Sequence, residues 1–166
     1  MTNPDAPLVL RHDDDRGVCT LTLNRPAAFN ALSEEMLTAL QSELDNLSKS
    51  QKLRALVIAA SGKAFCAGHD LRQMRAEPSM DYYQKLFSQC GEMMMSIQKL
   101  QVPVIAKVQG IATAAGCQLV AQCDLAVASS EAKFAVSGVN LGLFCATPSV
   151  ALSRNCLLYT SDAADE

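Results

Sequence analysis

One pattern occurs twice in this chain: a short β-like apolar run, then a knot of small residues, then a segment with helical periodicity. The first copy runs from Ala55-Leu56-Val57-Ile58-Ala59-Ala60 through Lys63-Ala64-Phe65-Cys66-Ala67-Gly68-His69-Asp70-Leu71-Arg72, the second from Val104-Ile105-Ala106-Lys107-Val108 through Ala112-Thr113-Ala114-Ala115-Gly116-Cys117-Gln118. Small residues crowd where a backbone must come close to something else. A strand that turns directly into a helix also leaves the first helical N–H groups without partners. Two such turns can aim backbone donors at one carbonyl oxygen.

Around these turns the chain reads as alternating strands and helices. Residues 8–11 and 18–24 are β-like runs bracketing the acidic turn 12–17, and the second alternates Val18, Thr20, Thr22 against Cys19, Leu21, Leu23, which predicts an opening hairpin. Ser33 is a good N-cap followed by Glu34 and Glu35, and Met36, Leu37, Leu40, Leu44 and Leu47 recur at helical spacing, so an amphipathic helix is expected over 33–49. The unbroken apolar run 55–60 predicts a strand covered on both faces. A long helix over 80–100 carries Tyr83, Leu86, Phe87, Cys90, Met93, Met94, Ile97 and Leu100, its methionines read as core filler. Pro103 restarts the chain into a strand at 104–108, a short helix ends near Gln122, and 125–128 is expected to be another buried strand. Strands and helices alternating at intervals of about 40 residues give an α/β fold class with consecutive strands parallel.

The length, 166 residues at 49% hydrophobic, suits one domain with a real core. A net charge of −3 with both signs interspersed offers no footprint for nucleic acid or an anionic membrane, so neither is expected as a partner. The first residues show no signal- or transit-peptide pattern, and no apolar run approaches the ~20 residues that span a bilayer. Cys19, Cys66, Cys90, Cys117, Cys123, Cys145 and Cys156 are odd in number, form no C-x-x-C pair and sit among apolar neighbours, so they read as reduced core residues in a cytoplasmic compartment. His12 and His69 are too far apart to assemble a zinc site, and no metal is expected. A serine peptidase is disfavoured because no G-x-S-x-G elbow appears.

Four segments together resemble the crotonase family, the enoyl-CoA hydratase and isomerase superfamily: Leu21-Thr22-Leu23-Asn24-Arg25-Pro26 with Asn30-Ala31-Leu32, Ala64 through Leu71, Pro103-Val104-Ile105-Ala106 through Gly116-Cys117, and Cys123-Asp124-Leu125 through Phe134. The resemblance runs from about residue 8 to 154. It implies a crotonase-like spiral of ββα units with its C-terminal helical part truncated, so that 1–154 is an incomplete family core and 155–166 a tail foreign to the pattern. The substrate it implies is a fatty acyl-CoA or enoyl-CoA thioester, with coenzyme A present only as part of that substrate and no permanently bound cofactor. The backbone N–H groups of His69 and Ala115 are the family's oxyanion donors by position. Ala28, Phe29, Ala67, Gly68, Asp70, Leu71, Arg72 and Gly116 match positions near the coenzyme A moiety and the turn. A homotrimer or hexamer is the assembly implied for a full-length version, with the mitochondrial matrix as the alternative location if a transit peptide precedes the chain.

The sequence departs from the family at its general acid and base. Hydratases place two glutamates around the double bond, and by alignment those positions hold Gln118 and Gly138 here. A carboxamide holds water by hydrogen bonds but transfers no proton, and glycine supplies nothing. Losing one such group typically costs about 10²- to 10⁴-fold, so hydration is doubtful even where acyl-CoA binding survives. A branch of the family shares this loss. A non-catalytic acyl-CoA sensor or an oligomerisation scaffold is the competing expectation.

Overall fold

The computed structural model describes residues 6–138, 142 and 145–155, so the expected tail lies, beyond Asn155, outside the described residues. The opening hairpin is present: β1 (Val9–Asp13) pairs antiparallel with β2 (Val18–Leu23), Val9 opposite Leu23. A 3₁₀ turn at Pro26–Ala28 leads to α1 (Glu34–Ser48), whose N-cap Ser33 accepts the Met36 N–H through its hydroxyl, and whose first turn carries Glu34 and Glu35 where the helix dipole favours them. Three consecutive units follow. The first is β3 (Ala55–Ala60), β4 (Ala64–Cys66), α2 (Leu71–Ala76) and α3 (Met80–Lys99); the second β5 (Val104–Val108), β6 (Ile111–Thr113) and α4 (Ala115–Ala121); the third β7 (Leu125–Ala128), β8 (Lys133–Ala135) and α5 (Ala146–Asn155).

Each unit sends its first strand to one sheet and its second to another. The larger sheet runs β1-β2-β3-β5-β7 and the smaller β4-β6-β8, with every pairing after the hairpin parallel. Repeating that step three times winds the chain into a spiral, which is the crotonase-like architecture implied by the resemblance. One contiguous core joins Leu21, Leu56 and Ile58 of the larger sheet to Leu37, Leu40 and Leu44 of α1 and to Met93, Met94 and Ile97 of α3. Met93 and Met94 fill that core as expected, because an unbranched thioether chain adapts to irregular gaps, whereas Met95, expected to do the same, is 44% exposed.

Three expectations are corrected. The strand 125–128 forms but is not buried: it ends the larger sheet beside β5, and Leu125 and Val127 stay 61% and 64% exposed. An apolar run reports an intended covering, not the element that supplies it. β3 alternates, with Leu56 and Ile58 buried and its other residues half-buried. On α3 it is Tyr82 that is buried, with Tyr83 only partly so, and Phe87 is 45% exposed. The three-residue strands β4, β6 and β8 are too short to show a period and could not be read from alternation.

Candidate active site

The two small-residue turns meet edge to edge. Beyond β4 the chain stays alongside Leu32, whose N–H donates to the Gly68 carbonyl at 2.8 Å while the Asp70 N–H donates back to the Leu32 carbonyl at 3.3 Å. Successive peptide groups along an extended chain face opposite edges, so the N–H of His69 turns away from Leu32 toward the edge where β6 runs into α4. On that edge the Thr113 hydroxyl donates to the Ala67 carbonyl at 3.1 Å. Gly68, at φ +89°, lies so close that a side chain there would begin 3.0 Å from the Ala114 Cβ and 3.3 Å from the Ala115 nitrogen. A Cβ on Gly116 would lie 2.7 Å from the carbonyl carbon of Cys66.

Ala114 makes the turn into α4 at φ 50°, ψ −123°, a conformation that opposes its own Cβ and stores about 1–3 kcal/mol. Its N–H is held by the Ala135 carbonyl at 2.9 Å. The bend leaves Ala115 as the first residue of α4, where an N–H has no intrahelical acceptor and the helix dipole favours negative charge. Among the described residues, no backbone acceptor takes the N–H of His69 or of Ala115.

Both residues line one cavity of about 390 Å³, together with Ala67, Leu71, Gly138 and Cys145. Gln118 stands one turn along α4 on the same face as Ala115, buried, with its carboxamide oxygen unpartnered among the described residues. Gln118, Gly68, Gly116, Ala28, Phe29, Asp70 and Arg72 all lie outside its lining. Met74, Phe87 and Pro148 are also part of the wall; Phe87 carried a signal only as a helical apolar residue, and its role as a wall was missed. A larger groove, about 650 Å³ between α1 and α3, is polar, open and free of any residue named for the chemistry, so size alone does not mark the site.

The loop before α1 is pinned against the first turn. The Phe29 carbonyl accepts the Ala67 N–H at 3.1 Å, and Phe29 and Asn30 both take left-handed backbone conformations at φ 51° and 53°. Asn30 is fully buried: its carboxamide accepts the Arg25 N–H and donates to the Ser61 and Ala64 carbonyls, each within 2.9 Å. The exposed Phe29 ring has the Lys63 ammonium 5.5 Å from its centroid, and Arg72 is exposed with no side-chain partner among the described residues.

Asp70, by contrast, is committed to the protein. Its carboxylate caps α2 by accepting the N–H groups of Arg72 and Gln73, and it pairs with the Arg25 guanidinium at 2.7 Å. Burial pushes this carboxyl up, but the Arg25 bond and the two amides outweigh it and hold it below the ordinary 3.8. A depressed folded-state pKa adds stability above the unfolded value that is lost as pH falls through the folded one. Asp70→Asn is therefore expected to cost about 1 kcal/mol at neutral pH and to flatten the loss of stability below about pH 4, read from thermal melts across that range.

The His69 imidazole packs edge-on against Phe87, ring centroids 5.1 Å apart, and its Nδ1 is buried with no partner among the described residues. Burial holds its pKa below 6.5, only partly offset by the Leu32 carbonyl. Burial pushes the thiols of Cys66, Cys90 and Cys123 up to about 12, so they are inert filler. Cys145, expected to be buried, is half-exposed at the cavity. Among the described residues, no cluster of three or more His, Cys, Asp or Glu is placed to hold a metal ion.

Comparison with known proteins bears on the family and the fold. The sequence profile described as Enoyl-CoA hydratase/isomerase matches residues 13–155. Enoyl-CoA hydratase domain-containing protein 3, mitochondrial, is 49% identical in Homo sapiens over 138 residues, 83% of this chain and 46% of the relative, and 48% identical in Xenopus laevis over 140 residues, 84% of this chain and 48% of the relative. A crystal structure titled enoyl-CoA hydratase from Mycobacterium smegmatis superposes with a TM-score of 0.92 at 63% identity, covering 96% of this chain and 62% of that one. The crystal structure of human enoyl-CoA hydratase domain-containing protein 3 gives 0.83 at 46% identity, covering 89% and 58%. The chain spans about half the length of the curated relatives it matches. With the spiral of ββα units and the profile match across most of its length, the chain belongs to the enoyl-CoA hydratase/isomerase family.

Proposed function

We propose that this chain binds a fatty acyl-CoA or enoyl-CoA thioester, the N–H groups of His69 and Ala115 gripping its carbonyl oxygen, and hydrates it slowly or not at all. The observation that carries this reading is the shared cavity into which the two turns bring residues whose N–H groups have no backbone acceptor among the described residues. Enolate-like charge on a thioester oxygen is what fixed backbone donors stabilise best, each typically by about 3 kcal/mol. Coenzyme A enters as part of the substrate. Its nucleotide end has the exposed Phe29 ring for stacking and the cations of Lys63 and Arg72 for phosphates, beside the entrance residues Ala67 and Leu71.

Gln118 and Gly138, in place of the two glutamates, favour the sensor as second reading, since neither a carboxamide nor a glycine serves as general acid or base. The vertebrate relatives are named mitochondrial, which favours the matrix over the cytoplasm expected from the sequence. The exposed apolar faces of β7 and β8 suit a trimer or hexamer.

Calorimetry with butyryl-CoA and with free coenzyme A tests the grip on the thioester. Butyryl-CoA is expected to bind about tenfold more tightly, the worth of one or two hydrogen bonds to the oxygen. Equal affinities would remove the oxyanion role of His69 and Ala115. Absence of heat with either would leave only the scaffold.

A further inference from the structure

We propose that Asn30 is a positioning residue of this site: its buried carboxamide fixes the start of β4 against the loop before α1 and so sets where the His69 N–H stands. This rests on the acyl-CoA reading above and names what keeps one of its two donors in place. β4 is three residues long and lies at an edge of the smaller sheet, where it pairs with β6 alone. So short an edge strand has little of its own to hold register.

The loop over 25–32 closes the other edge at successive points. At the start of β4 the Asn30 Nδ2 donates to the carbonyls of Ser61 and Ala64, both at 2.9 Å. Just past its end the Phe29 carbonyl accepts the Ala67 N–H at 3.1 Å. Further along, Leu32 bridges to His69 by bonding to Gly68 on one side of it and Asp70 on the other, and the Arg25 guanidinium holds the Asp70 carboxylate. Both neighbours of His69 are therefore tied to this loop, and the His69 N–H goes where the loop goes.

Asn30 joins loop and strand through one group. Its Oδ1 accepts the Arg25 N–H at 2.8 Å, closing the loop on itself, while its Nδ2 reaches the strand. The backbone sits at φ 53°, a left-handed conformation that asparagine tolerates better than most residues. At 0% exposure the carboxamide has no water to fall back on, so its bonds hold together or fail together. The Ala64 carbonyl also accepts the Gln109 Nε2, from the turn between β5 and β6, at 3.0 Å. Without Asn30, β4 keeps its ties to that side and loses the one that balances them. A donor acts on an oxygen about 3 Å away, and a shift of about an ångström removes most of its effect.

The test is calorimetry with butyryl-CoA and with free coenzyme A on the wild type, Asn30→Gly and Leu44→Ala. Glycine keeps the left-handed backbone and removes the carboxamide, whereas Leu44→Ala empties a core position well along α1 from its cap. Both variants are expected to melt earlier, but only Asn30→Gly to lower the preference for butyryl-CoA, from about tenfold to under about twofold. A role confined to stability would leave the preference unchanged in both. If Asn30→Gly does not fold, amide hydrogen exchange on the wild type decides: the N–H groups of Leu32, Ala67 and Asp70 are expected to exchange as slowly as the core of α1, because a loop that positions the turn does not open apart from the fold. Preference retained in folded Asn30→Gly, equal loss of it in Leu44→Ala, or exchange of those amides ahead of α1 each overturns the proposal and leaves the binding reading intact; a wild type without preference overturns both.

Discussion

Gly116→Ala is expected to cost more than about 3 kcal/mol of stability and to abolish preferential binding of a thioester over free coenzyme A, the first read by denaturant unfolding and the second by calorimetry. The new methyl would begin 2.7 Å from the carbonyl carbon and 2.8 Å from the Cβ of Cys66. The carbonyl carbon belongs to the backbone, so no side-chain rotation relieves that clash; α4 has to move away from β4. Cys66 lies within the first small-residue turn and Gly116 directly follows Ala115, so the same displacement pulls the two candidate donors apart. An interaction that depends on donors about 3 Å from one oxygen does not survive a shift of an ångström. A variant that melts like the wild type and still prefers butyryl-CoA would show that the helix and strand are not packed as described.

Restoring both carboxylates, Gln118→Glu with Gly138→Glu, is expected to raise crotonyl-CoA hydration by about 10²-fold or more, followed as loss of the conjugated enoyl absorbance. Water addition needs one group to deprotonate water and another to protonate carbon. Position 118 is buried with its Oε1 site shielded from solvent, which would lift a carboxylate there toward working pH, and position 138 lines the cavity, so a longer side chain enters it. A single restored glutamate is expected to gain much less, because the two act on one reaction. Wild-type turnover already at the ordinary roughly 1–10³ s⁻¹ of enzymes would mean that the family's chemistry does not require these carboxylates here.

Much of this was legible in the amino-acid sequence, and the gaps have physical causes. α1 could be read because Ser33 announces its start and five apolar residues keep helical period; the structure confirms Ser33 as the cap. β5 and β7 could be read as strands, but burial of β7 could not, since Leu125 and Val127 are as apolar at an open edge as in a closed core. The small-residue turns were visible as Gly and Ala clusters. That they meet was not, because the meeting depends on β4 and β6, three residues each, pairing in parallel across about 47 residues of chain. Phe87 and Met74 entered the cavity wall unannounced for the same reason: helical period tells which face is apolar, not which hollow that face borders. Asp70 matched a ligand-groove position, yet its carboxylate is taken up by α2 and Arg25, a pairing that sequence distance conceals.

The strained Ala114 ties the position of Ala115 to a tether on β8. Its unfavourable bend persists because the Ala135 carbonyl on β8 holds its amide, and β8 is itself a three-residue strand with every residue exposed. Once that strand peels off, the alanine relaxes to an ordinary conformation and Ala115 swings out of line. On gentle warming, ligand recognition should therefore fade before the cooperative melt, the pocket going blind while the spiral is still wound.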